Sequence, residues 1–202
     1  AIVTLKDAIV SESFLTDVHR IARGDVDEAM HAAPFRFIGT VQTGAQDHFY
    51  LETQCSVASV EEASLRIISS TQHPSEVQTI VARILGRQRN QVVVEAPRLG
   101  GGFGGKETQA ANYAALAALA AVKTNKTVKV WLNRDQDMCF TGKRHAFHTE
   151  FEVAHDAQGA LLALRAHLVS DGGFSTDLSR AILDRALFHA DNAYFIPNIE
   201  LT

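Results

Sequence analysis

Residues 98–108 read RLGGGFGGKET, and this stretch constrains the fold more than any other. Before it runs QVVVEAP (91–97), a β-branched segment of strand type. After it runs AANYAALAALAAV (110–122), apolar almost all round and suited to a buried helix. A strand, a glycine loop and a helix from about 107 to 123 are therefore expected in succession. Gly101, Gly102, Gly104 and Gly105 surround Phe103, so backbone can approach a ligand closely. The amides of such a turn favour an anion. The plainer alternative is a tight strand–helix turn in which Glu107 is an acid near the helix start.

Two phosphate motifs overlap in this loop, and both fail. Gly100, Gly105 and Lys106 fit G-x-x-x-x-G-K, but a nucleotide-binding P-loop needs Ser or Thr next, to bind magnesium. The chain has Glu107 there. Gly100, Gly102 and Gly105 fit the dinucleotide fingerprint, which wants an acid about 20 residues later for the ribose. Residues 108–134 contain no Asp or Glu. The strands before the loop also read as antiparallel, not as a βαβ unit.

The remaining chain is ordinary in texture. Of its 202 residues 46% are hydrophobic and 21% charged, enough for one large domain or two small ones. The net charge of −4 gives no basic footprint for nucleic acid. The longest apolar run is too short to span a bilayer. Cys55 and Cys139 stand far apart without a C-x-x-C, which fits a reducing, cytoplasmic setting and excludes an all-cysteine iron–sulfur cluster within these residues. The start without Met and the abrupt end at IPNIELT suggest a piece of a longer protein.

Short helices are expected at TLKDAI, where Thr4 and Asp7 have capping-box spacing, and at DVDEAMHAA. FRFIGTVQT, HFYLETQCSVASV and ASLRIISS read as three neighbouring antiparallel strands. PSEVQTIVARILG has Val77, Ile80, Val81, Ile84 and Leu85 at helical spacing, with Pro74 in the first turn and Gly86 at the stop. TVKVWLNR is a strand, HTEFEVAHD and ALLALRAHLVSD form a hairpin, and DLSRAILDRALFHAD is helical. This mixture predicts an α+β fold with a mixed, partly antiparallel sheet under packed helices. Residues 1–35 read as a linker with short helices, and 36–202 as the domain proper. Phe49, Tyr50 and Tyr194 read as core and Cys139 as a packed thiol. Asp135 and Asp137 read as solvated, and His145 and His148 as non-ligands.

RLGGGFGGKETQAANYAALAALAA, GAQDHFYLET (44–53), SSTQHP (69–74), RDQDMCFTGKRHAFH (134–148) and DRALFHADNAYFIPNI (184–199) together resemble the molybdenum-binding subunit of the xanthine dehydrogenase family. The resemblance covers nearly the whole chain and implies the first part of that family's molybdopterin-binding region. It implies that the glycine loop packs its backbone, at Gly102, Phe103 and Gly104, against molybdenum and its pterin dithiolene. Gln72 would hydrogen-bond a molybdenum ligand, and Glu107 and Arg185 would bind substrate.

The implied reaction hydroxylates a purine such as xanthine or hypoxanthine with oxygen from water. Arg185 would stabilise negative charge that develops on the ring, and Glu107 would hold one tautomer by its ring nitrogens. The family's general base, its iron–sulfur (2Fe-2S) clusters and its FAD lie outside these residues, so the chain alone is expected to be inactive. Without the resemblance, Arg185 reads as a helix charge paired with Asp184 or Asp191, and Gln72 as a helix-start residue. An aldehyde oxidase-type hydroxylase, or an inert scaffold, remains the alternative. Aldehyde oxidases generally carry other residues at the positions of Glu107 and Arg185.

Overall fold

The computed structural model describes residues 2–202. In chain order its elements are α1 (Leu5–Val10), β1 (Ile21–Arg23), α2 (Val26–Ala32), β2 (Phe35–Thr43), β3 (Cys55–Val60), β4 (Leu65–Ser69), α3 (Pro74–Leu85) and β5 (Val92–Glu95). There follow α4 (Ala110–Thr124), β6 (Val128–Trp131), α5 (Arg134–Phe140), β7 (Phe147–His155), β8 (Leu161–Ser170), α6 (Ser179–Phe188) and β9 (Asn198–Leu201). They form two open mixed sheets with helices, divided between two compact units. One unit is Asp47–Arg144; the other joins the N-terminal residues through Gln46 to His145–Thr202.

The unit Asp47–Arg144 is a four-stranded sheet in the order β5-β4-β3-β6, with α3 and α4 on one face. Alternation along β4 buries Leu65, Ile67 and Ser69 and leaves Arg66 and Ile68 outward. Helix α3 packs Val77 and Val81 against that face, with Ile80 and Leu85 partly buried, as the helical spacing predicts. Ile84 is exposed. Gly86 closes the helix at φ +62°, the left-handed stop a glycine allows. Seven alanines of α4 are buried, so the helix lies close on the sheet, while Leu116 turns outward.

Topology corrects two expectations. β2 does not neighbour β3 and β4; it pairs along its whole length with β7 in the other sheet. β4 and β5 are parallel and joined by α3, so a βαβ unit does precede the glycine loop. The strand expected over HFYLETQCSVASV forms only from Cys55, because residues before it turn to bind the loop, as described below.

The other unit carries a five-stranded sheet in the order β1-β9-β8-β7-β2. The β7–β8 hairpin forms as expected, with Gly159 at φ +83° in its turn. Val26 and Met30 of α2 pack on Ala154 and Ala163, and Leu187 of α6 packs with Ala166, Ile199 and Leu201. Thr4 caps α1 by accepting from the Asp7 amide. Residues 1–35 thus supply β1 and α2 to this unit. Among the described residues no helix is long and apolar enough to cross a membrane.

Candidate functional site

The register of the four-stranded sheet places several chain segments at one end. β4 and β5 run parallel, so Ser70–His73 and the glycine loop leave the sheet side by side. β3 is antiparallel to β4, so the residues entering it, Tyr50–Gln54, arrive at the same end. β6 is antiparallel to β3 and delivers α5 there, with Trp131 opposite Cys55. The glycine loop is therefore held by side chains from segments far apart in sequence.

Gln72 holds it from above. Its Oε1 accepts from the Gly104 amide (2.9 Å) and the Lys106 amide (3.2 Å), and its own amide donates to the Lys106 carbonyl (2.8 Å). Gln72 does not cap α3; no side-chain bond caps that helix at His73. Its Nε2 has no acceptor among the described residues, and the side chain is exposed. Gly102 is buried against it, and a Cβ there would lie 2.6 Å from Gln72 Cδ, so a side chain at 102 would push the Gln72 carboxamide off the loop. Phe103 adopts φ +54°, uncommon for a bulky residue, and the residue is 62% exposed. The amides of Gly101, Gly102 and Phe103 meet no acceptor among the described residues.

Beneath the loop lies a polar web. Glu52 donates its amide to the Gly100 carbonyl (3.0 Å), and its Oε2 accepts from the Gly100 amide and the Ser70 hydroxyl, both at 2.8 Å. Gln54 Nε2 donates to the Gly105 carbonyl (2.9 Å) and to the Tyr50 hydroxyl (3.1 Å). That hydroxyl donates to Asp137 Oδ1 (2.8 Å), while Asp137 Oδ2 accepts from the Gln54 amide (2.7 Å). Burial and the Asp137 carboxylate push the Tyr50 phenol above its ordinary value. Lys106 is wholly buried, so it cannot reach a phosphate as a P-loop lysine does.

Glu52 gives this web a pH dependence. Burial pushes its carboxyl up, but the Gly100 amide, the Ser70 hydroxyl and the Lys106 charge outweigh that and hold it below its ordinary 4.5. A carboxyl depressed on folding stabilises fully above its unfolded value and loses that contribution as pH falls through the folded value. The melting temperature of wild type minus that of Glu52→Gln is therefore expected to be constant above pH ~5 and to shrink on acidification below the ordinary carboxylate range. A difference independent of pH would remove Glu52 from this role.

Several sequence expectations are corrected here. Asp137 is not solvated: α5 turns it fully inward, whereas Asp135, two positions away on that helix, is exposed. Tyr50 is core, but Phe49 and Tyr194 are exposed, and so is Cys139. Phe49 instead lies under the Arg134 guanidinium, whose Nη2 donates to the Tyr50 and Leu51 carbonyls. Helix α4 starts at Ala110, so Glu107 lies in the loop and not in the first turn. It is part-exposed and has no ion-pair or hydrogen-bond partner among the described residues.

Arg185 belongs to the other compact unit, on α6. It is exposed and has no ion-pair partner among the described residues; Asp184 engages His19 and Asp191 lies nearest Arg23. A separate cavity of about 550 Å³ in that unit is lined by Leu5, Phe14, Leu15, Val169 and Leu183 among others; Arg185 does not line it.

Backbone amides and a carboxamide NH₂ without acceptors among the described residues, grouped around a buried glycine, make a surface suited to an anionic ligand. Over its full length the chain is 43% identical to mouse xanthine dehydrogenase/oxidase and 42% identical to Dictyostelium discoideum xanthine dehydrogenase, spanning 15% of each relative's length. Its fold matches an aldehyde oxidoreductase from Desulfovibrio gigas (TM-score 0.81, 26% identity), over 90% of this chain and 20% of that one. It also matches a Cu,Mo-CO dehydrogenase at TM-score 0.72 and 23% identity, over 91% of this chain and 24% of that one, a likeness of fold alone. Residues 10–202 match the molybdopterin cofactor-binding domain family, and the chain belongs to it.

Proposed function

We propose that this chain supplies the glycine-loop wall of the molybdopterin site in a cytoplasmic molybdenum hydroxylase that oxidises purines such as xanthine and hypoxanthine. The observation that carries the reading is the Gln72–loop clamp. It commits Gln72 Oε1 to the Gly104 and Lys106 amides and leaves Nε2 as a donor beside the unspent amides of Gly101, Gly102 and Phe103. Gln72 and the backbone of Gly102, Phe103 and Gly104 would hold the cofactor, with Gln72 donating to a molybdenum ligand. When bound, molybdenum in its pterin dithiolene supplies the two-electron chemistry that puts an oxygen from water on the ring.

The substrate roles belong to Glu107 and Arg185. Glu107 orients the purine through its ring nitrogens, and Arg185 stabilises negative charge developing on the ring. Both residues lack an ion-pair partner among the described residues, as groups reserved for substrate would. Further domains or subunits would carry the general base, the 2Fe-2S clusters and FAD, and residues 1–202 alone would not turn over substrate. An aldehyde substrate is the second reading, favoured by the likeness to the Desulfovibrio gigas aldehyde oxidoreductase.

Molybdenum analysis of the intact protein tests the first step, with one metal per chain expected. Gln72→Ala is then expected to change the molybdenum absorption and paramagnetic spectra in the absence of substrate. An unchanged metal spectrum with only substrate affinity reduced would contradict the role given to Gln72.

A further inference from the structure

Lys106 and Asp137 are the two ionisable side chains with no exposed surface among the described residues. An ammonium in the interior is costly unless it is paired and hydrogen-bonded, and an apolar side chain of similar volume would often serve stability as well. The Lys106 ammonium is well satisfied. Its Nζ donates to the Glu52 carbonyl (2.5 Å) and the Ser70 hydroxyl (2.6 Å), and lies 4.4 Å from the Tyr50 ring centroid. Glu52 Oε2 stands 3.7 Å away as counter-ion. Burial still pushes the ammonium below the usual lysine range, with Glu52 opposing.

The backbone of the same residue is clamped as well. Its amide donates to Gln72 Oε1, and its carbonyl accepts from the Gln72 amide and from Thr71 Oγ1 at 3.1 Å. Lys106 is thus fixed by both peptide and side chain, between Phe103, which is exposed, and Glu107, which is part-exposed. Glu52 reaches the loop a second time at Gly100, so one carboxylate joins its start to its end.

We propose that Lys106 is a positioning residue, an inward charged pin that with Glu52 and Ser70 sets the loop so that the Phe103 peptide faces the cofactor and Glu107 faces substrate. What the loop faces rests on the function proposed above; the pinning itself does not.

The test uses Lys106→Met in the intact protein, which keeps the stem and removes the ammonium. Amide hydrogen exchange in peptides within 100–108 is expected to accelerate at least about tenfold, because charged hydrogen bonds are lost locally. Peptides of β4 (65–69) and α4 (110–124) are expected to stay within about twofold of wild type, since local opening need not involve the core. Ser70→Ala removes one of the pin's acceptors and is expected to act in the same direction, by about threefold.

Equal acceleration in all three regions would make Lys106 a general stabiliser and overturn the proposal, as would unchanged exchange at 100–108. If Lys106→Met does not accumulate folded, Ser70→Ala decides by the same two criteria. Where molybdenum is bound at equal content, its spectrum is expected to change in Lys106→Met; an unchanged spectrum beside an accelerated loop would sink the positioning role. Wild type without molybdenum would instead sink the functional reading, because the exchange is measured whether or not cofactor is present.

Discussion

Arg185→Met in the intact protein is expected to lower kcat for xanthine by about 10²–10³, with a smaller effect on KM. Under the role proposed for Arg185, losing a donor to charge that develops on the ring costs about that much, and a contact that strengthens only as charge develops appears in kcat. The substitution tests this cleanly. Arg185 is exposed and makes no ion pair among the described residues, and α6 is anchored through Leu187, not through the guanidinium. Folding is therefore expected to change by under ~0.5 kcal/mol. Glu107→Val, which removes an orienting carboxylate, is expected to affect both parameters. Small aldehydes need no hold on distant ring atoms, so their turnover is expected to be spared or improved in both variants. Measuring kcat/KM for xanthine, hypoxanthine and an aromatic aldehyde decides the matter. A uniform loss would place these residues in folding or cofactor support and withdraw the purine assignment.

Asp137→Ala is expected to carry the largest stability cost, about 3 kcal/mol, with Asp135→Ala under about 1 kcal/mol. The carboxylate is fully buried, and removing it strands the Tyr50 hydroxyl and the Gln54 amide in the interior. Tyr50 forms the face over which the Lys106 ammonium sits, and Gln54 holds the Gly105 carbonyl, so the damage is expected to reach the glycine loop. Denaturant or thermal unfolding of the two variants gives the comparison. Similar costs for both would show that burial of Asp137 contributes little.

Much of the local structure was legible because it rests on local rules. FRFIGTVQT forms the strand its β-branched and aromatic content implies, Gly86 stops α3, and Thr4 caps α1. The exclusion of a P-loop followed from Glu107 alone. Gln72, Gly102, Phe103 and Gly104 were reached through family resemblance, since nothing in the spacing of 72 and 102 announces that they meet.

Other features had no local signature. A nine-residue strand cannot declare its partner, and β2 found β7 more than a hundred residues away. Composition makes aspartates surface residues, and only the rotation of α5 against Tyr50 and Gln54 drew Asp137 inside while leaving Asp135 in solvent. Phe49 and Tyr194 are exposed for the converse reason: an aromatic side chain is buried only where packed elements cover it. Lys106 is the clearest case. As sequence it is a charge after two glycines, fit for a phosphate or for solvent. It points inward because the parallel pairing of β4 with β5 and the antiparallel pairing of β3 with β4 bring Glu52, Ser70 and Tyr50 around its ammonium. The residues fixed which chemistry was available, and long-range strand pairing decided which groups met, because desolvation and hydrogen bonding act between neighbours in space that the chain order leaves far apart.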